Sequence, residues 1–348
     1  MKFSLLHKNI KIRIFTSFFM KIVGSMVFPF MAIYFSEKIG ASLTGMLLII
    51  NVVLGMFTGL YGGYLADKIG RKNIMVTSLA ITMTSYSFMA IANSPWFESV
   101  WITYFMYTII GISGSLSGPA TDAILVDSST KENRTYMYSL TYWTHNVSLM
   151  IGSIFGSFFF KEHRFELFIA LTITSLITLL MVAFVMTDAY VPKTIVEKVH
   201  VIKDMVKSYK VVIKDKAFMA FTMGIVFLFS LEAHGANFIA VRLAKDFKPF
   251  DFQFFNFPKV NIEGVNIVGF LLTENTVLVV LFTMFVVVWI HKRDPKKMLY
   301  LGLILHTLGY VFLGFTNSIF IIFLAGLVTT FANFLYSSPI LYSGRTNG

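Results

Sequence analysis

The sequence predicts an all-α protein that crosses a lipid bilayer many times. Of its 348 residues, 56% are hydrophobic and 14% are charged, and the mean hydropathy is +0.73. A water-soluble protein of this length needs more charged surface than that, so part of its surface must face lipid. The hydrophobic residues also gather in runs of about 20, the helix length that crosses about 30 Å of hydrocarbon and one too long for barrel strands.

Ten such runs follow one another along the chain. Helices are expected within them, because lipid offers no partner for an unpaired backbone group. The predicted spans cover residues 12–35, 43–66, 73–93, 99–121, 136–160, 165–187, 217–241, 265–290, 298–316 and 318–340. Six spans form a predicted N-terminal bundle over 1–187, and four form an incomplete C-terminal bundle over 217–348. The segment 188–216 links the two bundles.

The Lys and Arg residues decide the predicted orientation. They are about three times as numerous in the segments on the side of the N-terminus as on the opposite side. Because cytoplasmic loops carry the excess of positive charge, both termini are predicted to be cytoplasmic. Apolar residues of the linker between Ile195 and Ile213 recur at steps of three and four, which predicts an amphipathic helix at the membrane surface. These segments account for the net charge of +11, so the lipid bilayer is the expected partner and nucleic acid is not.

Several kinds of chemistry are missing from the sequence. There are no cysteines, and the seven histidines show no metal-ligand spacing. The chain also lacks a nucleophile with a neighbouring base and a nucleotide-binding loop. We therefore expect no metal site, no cofactor and no enzymatic activity.

The loop between the second and third predicted spans carries a recognisable motif. It reads Gly63-Tyr-Leu65-Ala-Asp67-Lys68-Ile-Gly70-Arg71-Lys72. This resembles the signature loop of the major facilitator superfamily, G-x-L-a-D-r-x-G-r-k, with one conservative change at Lys68. Gly63 permits close approach of two helices, Gly70 permits a turn with positive φ, and Asp67 can form a charge relay with the two basic residues that end the motif. The resemblance implies the major facilitator fold, with about ten of its twelve helices present, and a loop that switches conformation.

Further residues resemble a narrower group, the proton-driven multidrug exporters of Gram-positive bacteria, and a lactococcal exporter in particular. The matching segments are Asp127-Ser-Ser-Thr-Lys-Glu132-Asn133-Arg134, Tyr142-Trp143-Thr-His-Asn146 and Phe184-Val-Met-Thr187. The resemblance implies a charge pair between Asp127 and Arg134 and a candidate proton or substrate contact at Asn146. It also implies two halves that rock about a central cavity and use the proton gradient to export hydrophobic or cationic drugs.

Such exporters need a carboxylate inside the membrane that can take up and release a proton. The resemblance expects acids at three positions, which here hold Thr141, Ala236 and Asn333. Two other acids lie within predicted spans, and Glu232 and Glu274 are therefore the candidate proton or substrate residues. Alternatively, Glu232 is an interfacial carboxylate near the outer headgroups, and Glu274 is a structural acid that bonds to Asn275 or a neighbouring helix.

Lys21 is a cation about nine residues into the first predicted span. It can snorkel toward the headgroups, pair with Asp122 at the cytoplasmic end of the fourth span, or contact an anionic substrate. Both residues are therefore candidates for a proton or substrate site. In the fifth span, Gly152 and Gly156 have the spacing of a close helix contact. Ser157 follows them where the antiporter motif has proline.

The favoured interpretation is a monomeric, proton-coupled multidrug exporter in a bacterial cell membrane. A facilitator of another small solute, such as a peptide, a sugar or a lipid-linked molecule, is the first alternative. A membrane protein without transport activity is the second. The resemblance stops after Tyr336. Because two of the twelve spans implied by the resemblance are missing, we expect a truncated gene product that is poorly stable or inactive.

Overall fold

The computed structural model describes residues 6–130, 132–187, 213–253, 259–290 and 293–343, together with Phe3. The amphipathic linker helix predicted from Ile195 lies outside these residues except at its last position. In the described part of the chain, eleven α-helices account for almost all regular structure.

Seven of these helices belong to the N-terminal half and four to the C-terminal half. The first seven are α1 (Lys8–Val27), α2 (Met31–Ile39), α3 (Ala41–Ile69), α4 (Arg71–Ile91), α5 (Val100–Asp127), α6 (Arg134–Phe159) and α7 (Arg164–Leu180). The remaining four are α8 (Lys216–Asp246), α9 (Gly264–Ile290), α10 (Pro295–Phe315) and α11 (Ile319–Ser343). Each predicted span coincides with one of these helices, except that the first span is divided between α1 and α2.

Seven helical segments of the described residues are long and apolar enough to cross a membrane, judged by length and composition. They are Lys8–Ile39, Ala41–Ile69, Arg71–Ile91, Val100–Asp127, Arg164–Val185, Gly264–Phe282 and Lys296–Phe315. The apolar part of α11 that qualifies by composition, Ile319–Leu335, is shorter. The prediction of a multi-pass, helical membrane protein is therefore confirmed.

The first span is interrupted near its outer third, which the sequence prediction did not anticipate. Residues Phe28–Phe30 form a single turn of 3-10 helix between α1 and α2. Pro29 lacks a backbone N–H and clashes with the preceding turn of an α-helix, so it breaks the regular helix here. The side chains of Phe30, at the end of this turn, and of Tyr34, in α2, are buried in the largest hydrophobic cluster.

Two short hairpins depart from the all-α prediction. Strands β1 (Asn93–Ser94) and β2 (Phe97–Glu98) pair antiparallel, as do β3 (Phe250–Phe252) and β4 (Val260–Ile262). Both hairpins lie in loops that the charge pattern places outside the cell. They connect helices without forming part of the bundle.

Small residues determine how closely the helices of the N-terminal half approach. A Cβ atom added at Gly152 or Gly156 would collide with the backbone of α1 at Ile22 or Met26. These two glycines therefore bring α6 against α1, where the sequence predicted a close helix contact.

Between α3 and α5 the close approach is made by Gly62 rather than by the motif residue Gly63. A Cβ atom at Gly62 would overlap the carbonyl group of Leu116, whereas one at Gly63 would meet only the Cβ atom of Pro119, at 3.9 Å. The role predicted for Gly63 therefore belongs to its neighbour. The motif spacing could not distinguish the two, because successive helix positions point about 100° apart.

The two halves are joined by contacts between α6 and α9. The Nδ2 atom of Asn266 donates a hydrogen bond to the carbonyl oxygen of Ser157 at 2.7 Å, and the hydroxyls of Ser153 and Thr273 lie 3.2 Å apart. Nearer the loops, Lys161 Nζ and Glu263 Oε2 form an ion pair at 2.8 Å. We call this set of contacts the outer joint, because the charge pattern places its loops outside.

Replacing Gly62 with alanine should destabilise the protein, while the same change at Gly63 should not. The added methyl group at Gly62 must displace the backbone of Leu116, and such overpacking costs about 1–3 kcal/mol. The Gly63→Ala variant is the matched control, since its methyl group fits beside Pro119. Thermal unfolding of both variants in detergent micelles provides the measurement. Equal melting temperatures for the two variants would contradict the assigned contact.

Removing one charge from the outer joint should make its interior more accessible from outside. The chain has no cysteine, so Ser153→Cys provides a single labelling site for a membrane-impermeant maleimide. Because Lys161 and Glu263 are largely exposed, their pair is worth about 0.2–1 kcal/mol, and Lys161→Gln should speed labelling by up to about five-fold. Glu166→Gln, which alters another charge near the same loop, is the control and should leave the rate unchanged. A rate unaffected by Lys161→Gln would show that the pair does not hold the joint closed.

Candidate functional site

The motif loop is a tight turn that is tied to other helices of the N-terminal half. Gly70 joins α3 to α4 with φ 99°, the positive value that the sequence predicted. The guanidinium of Arg71 forms an ion pair with Asp127 at the end of α5. Lys72 Nζ donates a hydrogen bond to the carbonyl oxygen of Met186, at 2.7 Å, just beyond α7. The start of α4 is thus bound to the cytoplasmic ends of two neighbouring helices, and Asp67 lies one turn before Gly70 on α3.

The predicted charge pair between Asp127 and Arg134 is wrong, because Asp127 pairs with Arg71 instead. Arg134 Nε donates to the hydroxyl of Ser129 at 3.0 Å, and its Nη2 atom lies 3.4 Å from the carbonyl oxygen of Val126. The last carbonyls of a helix have no intrahelical partner, so the end of α5 attracts this guanidinium. Asp127 is left free to meet the arginine that begins α4.

Ion pairs and hydrogen bonds also affect titration outside the membrane-spanning segments. The hydrogen bond to Glu263 raises the pKa of Lys161, since it favours the charged ammonium. In the loop before α6, a hydrogen bond with Thr130 lowers the pKa of Glu132. Both groups therefore stay charged over a wider pH range than free side chains.

A cavity of about 400 Å³ lies between α1, α5 and α6. We call it the basic cavity, and its charged and aromatic polar lining consists of Arg13, Lys21, Asp122, Tyr138, Tyr142 and His145. The Nζ atom of Lys21 contacts Nδ1 of His145. Of the three alternatives for Lys21, pairing with Asp122 is not observed: among the described residues Lys21 forms no ion pair, and its ammonium lies against His145 of α6. Thr141, one of the positions where the resemblance expects an acid, lines the same cavity.

Asn146 lies outside the lining of the basic cavity, although the sequence made it a candidate contact residue. Its side chain is buried, and its Nδ2 atom donates a hydrogen bond to the carbonyl oxygen of Tyr142 at 2.8 Å. This bond lies within α6, so Asn146 satisfies its own helix instead of facing the cavity.

A second cavity, of about 180 Å³, lies among the four helices of the C-terminal half. We call it the acidic cavity, and its polar lining consists of Glu232, Asn275, Tyr310, Thr329, Thr330 and Asn333. Ala236, one turn after Glu232, also lines it. Two positions where the resemblance expects acids, at Ala236 and Asn333, therefore face the same space as the acid that is present.

Glu274 lies in the wall beside the acidic cavity. Its Oε2 atom is buried and has no hydrogen-bond partner among the residues that the structure describes. A Cβ atom added at Gly326, which lines the cavity, would lie 2.5 Å from this oxygen. The next residue, Asn275, accepts a hydrogen bond at its Oδ1 atom from the hydroxyl of Thr330, at 2.9 Å.

The sequence interpretation missed two polar residues of α10 near this site. The side chain of His306 is buried, faces Asn333 and the backbone of Thr329, and lies with its ring centroid 4.8 Å from that of Tyr310. The hydroxyl of Tyr310 lies 3.5 Å from the carbonyl oxygen of Glu232. A spacing of four residues places His306 and Tyr310 on one face of an otherwise apolar helix, and that signal could have identified them.

Arg13 and His145 were also missed. Arg13 lies at the edge of the first apolar run, so the charge pattern assigns it to the cytoplasmic N-terminal segment. In the structure it lines the basic cavity. Among the described residues, no group of three or more His, Asp or Glu side chains is arranged to hold a metal ion. Arg13, Lys21 and Asp122 thus line the basic cavity of the N-terminal half, and Glu232 lines the acidic cavity of the C-terminal half.

The family of the chain follows from comparison with known proteins. A profile of the Major Facilitator Superfamily matches residues 14–344. The chain belongs to this superfamily. It is 30% identical over 338 residues to a Na(+), Li(+), K(+)/H(+) antiporter of Planococcus maritimus. This alignment covers 94% of this chain and 80% of that protein. Over 133 residues it is 29% identical to the multidrug resistance protein MdtH of Yersinia enterocolitica, covering 38% of this chain and 32% of the other.

Solved structures of two other transport proteins have a similar fold. A peptide transporter POT crystallised with sulfate has a TM-score of 0.70 at 16% identity, and the match covers 99% of this chain and 83% of that one. A D-xylose-proton symporter has a TM-score of 0.57 at 14% identity, with 95% and 82% covered. These likenesses concern the helical bundle alone. The family match and the antiporter relative support secondary transport, and the apolar helices indicate a multi-pass membrane protein.

The assignment of the Arg71 partner can be checked with a double-mutant cycle. Arg71→Gln and Asp127→Asn should be non-additive, with a coupling energy of at most about 1 kcal/mol because Asp127 is about half exposed. Arg134→Gln is the matched control, and its effect should add to that of Asp127→Asn within about 0.3 kcal/mol. Unfolding of the variants in micelles measures both cycles. Coupling in the Arg134 cycle alone would restore the pair predicted from the sequence.

Proposed function

We propose that this chain is a proton-coupled antiporter that exchanges protons for a monovalent cation by alternating access. The observation that carries the proposal is the buried Oε2 atom of Glu274. It has no hydrogen-bond partner among the described residues, and it lies beside a cavity whose lining includes the oxygen-bearing side chains of Glu232, Asn275 and Thr330. Ionisable groups within membrane spans are costly, and they mark ion and proton pathways.

The chemistry of exchange follows from competition at one carboxylate. A protonated Glu274 is neutral and can stay in its apolar surroundings, whereas an ionised Glu274 requires a cation nearby. A proton and a cation therefore cannot occupy Glu274 at the same time. The site turns to one side of the membrane with the proton bound and to the other side with the cation bound. The Asn275 and Thr330 side chains and the Glu232 carboxylate supply the hard oxygen atoms that alkali cations prefer.

Two kinds of cation fit such a site. An alkali cation is supported by the antiporter of Planococcus maritimus, which aligns along almost the whole chain. A lipophilic cationic drug, as predicted from the sequence, is supported by a neighbouring apolar cavity of about 220 Å³ that shares Thr330 with the acidic cavity and is lined by Phe282, Phe331 and Phe334. The first is our main proposal and the second is the alternative.

The remaining expectations of the sequence complete the proposal. The proton gradient of a bacterial cell membrane supplies the energy, so the transporter needs no cofactor and catalyses no covalent chemistry. In the second half of the exchange, the two halves rock so that the contacts of the outer joint separate. The cation is then released on the outer side.

Neutralising Glu274 should abolish coupled exchange. In inside-out vesicles from cells that express the full chain, respiration acidifies the interior, and a pH-sensitive dye reports proton release when NaCl, KCl or LiCl is added. We expect Glu274→Gln to retain less than about a tenth of this response, because glutamine cannot exchange a proton for a cation. Glu232→Gln should weaken the response less, since Glu232 contributes only a second ligand.

The control is Glu166→Gln, which removes a carboxylate at the outer surface and should leave exchange unchanged. A parallel measurement replaces the salts with a lipophilic cationic dye. A response to the dye but not to alkali salts would select the alternative substrate. An undiminished response in the Glu274→Gln variant, at equal protein level, would refute the proposed carboxylate mechanism.

A further inference from the structure

The basic cavity is separate from the carboxylate site proposed above. Its walls come from α1, α5 and α6 of the N-terminal half, whereas the acidic cavity lies entirely within the C-terminal half. Its volume of about 400 Å³ falls in the range of about 300–1,000 Å³ that small-molecule sites occupy. The cavity is therefore large enough for an organic ligand.

The charges that line this cavity are predominantly positive. Arg13 and Lys21 are the basic side chains of the lining, and Asp122 is its carboxylate. Lys21 contacts the Nδ1 atom of His145, which brings no carboxylate to the site. The lining thus holds two basic side chains, Arg13 and Lys21, against the single carboxylate of Asp122.

The protein itself leaves these cations incompletely neutralised. Within the described residues, neither Arg13 nor Lys21 forms an ion pair with any carboxylate, and Asp122 acts on Arg13 only from beyond ion-pair distance. Arg13 and Lys21 also repel each other. An anionic group placed between them would relieve this repulsion and form charge-assisted hydrogen bonds with both.

The other lining residues indicate which kind of chemical group is attached to the anion. Tyr138 and Tyr142 present hydroxyls and aromatic faces, and Ile14, Phe18 and Leu125 are apolar. A small inorganic anion would leave these surfaces without contacts. An anion with an attached aromatic or apolar body would use them.

We propose that the basic cavity is a binding site for amphiphilic organic anions, with Arg13 and Lys21 holding the anionic group and the tyrosines contacting the apolar body. The ligand class is a soluble carboxylate or sulfonate attached to a ring system. His145 acts as a positioning residue, because it fixes the ammonium of Lys21 by direct contact.

The test uses the purified full chain in detergent micelles and two dyes that share a xanthene ring. Fluorescein is the anionic probe and rhodamine 123 is the cationic one, and fluorescence anisotropy measures the affinity of each. Lys21→Gln and Arg13→Gln should each weaken fluorescein binding about ten-fold, while Lys21→Arg should retain most of it. Rhodamine binding should not fall in any of these variants. If one variant fails to fold, as judged by gel filtration, the other decides.

The control is Lys38→Gln, which also removes one positive charge, in this case from the ion pair of Lys38 with Glu98 at the outer surface. An equal loss of fluorescein binding in this control would overturn the proposal, because it would reflect the overall charge of the protein. Displacement of fluorescein by phosphatidylglycerol but not by soluble toluenesulfonate would also overturn it, since the occupant would then be a lipid. Glu274→Gln should leave fluorescein binding intact, so the two sites are tested independently.

Discussion

An ionised side chain at the centre of a membrane span costs roughly 2.5–3.5 kcal/mol, and this cost governs where charge occurs in the chain. Most Lys and Arg residues lie outside the ten apolar runs. At the ends of the helices, Asp127 neutralises Arg71 and Glu263 neutralises Lys161. The charged groups that remain within the spans line or adjoin two cavities, where an ion or a ligand can reach them. The protein therefore concentrates its unfavourable charges at the places where it can bind something.

The helix that connects these features is α6. Its glycines pack against α1, its polar face lines the basic cavity, and its outer part forms the joint with α9. At that joint Ser153 contacts Thr273, and the next residue along α9 is Glu274. A change in the charge of Glu274 thus occurs one residue from a contact between the halves. In the proposed exchange, this proximity would link the charge of Glu274 to the contact between the halves.

The sequence predicted the helices well, because a run of apolar residues long enough to span the bilayer has few alternatives to a helix. It could not predict which side chains meet. Arg71 and Arg134 are both basic residues near Asp127 in the loops, and only the packing of α4 against α5 decides between them. Gly62 and Gly63 are equivalent in sequence, but they point in different directions from α3. His306 was not predicted, because the resemblance to known exporters implies a proton site made of acidic residues.

The outer joint combines two kinds of contact that respond differently to the surroundings. The bond from Asn266 to Ser157 is buried between uncharged groups, so dissolved ions do not affect it. The pair of Lys161 and Glu263 is exposed, and at physiological ionic strength charges are screened over about 8 Å. A high salt concentration outside the cell would therefore weaken the ion pair of Lys161 and Glu263 but not the hydrogen bond from Asn266 to Ser157. The resting orientation of the transporter would then depend on the salinity of the medium, before any ion has entered the transport site.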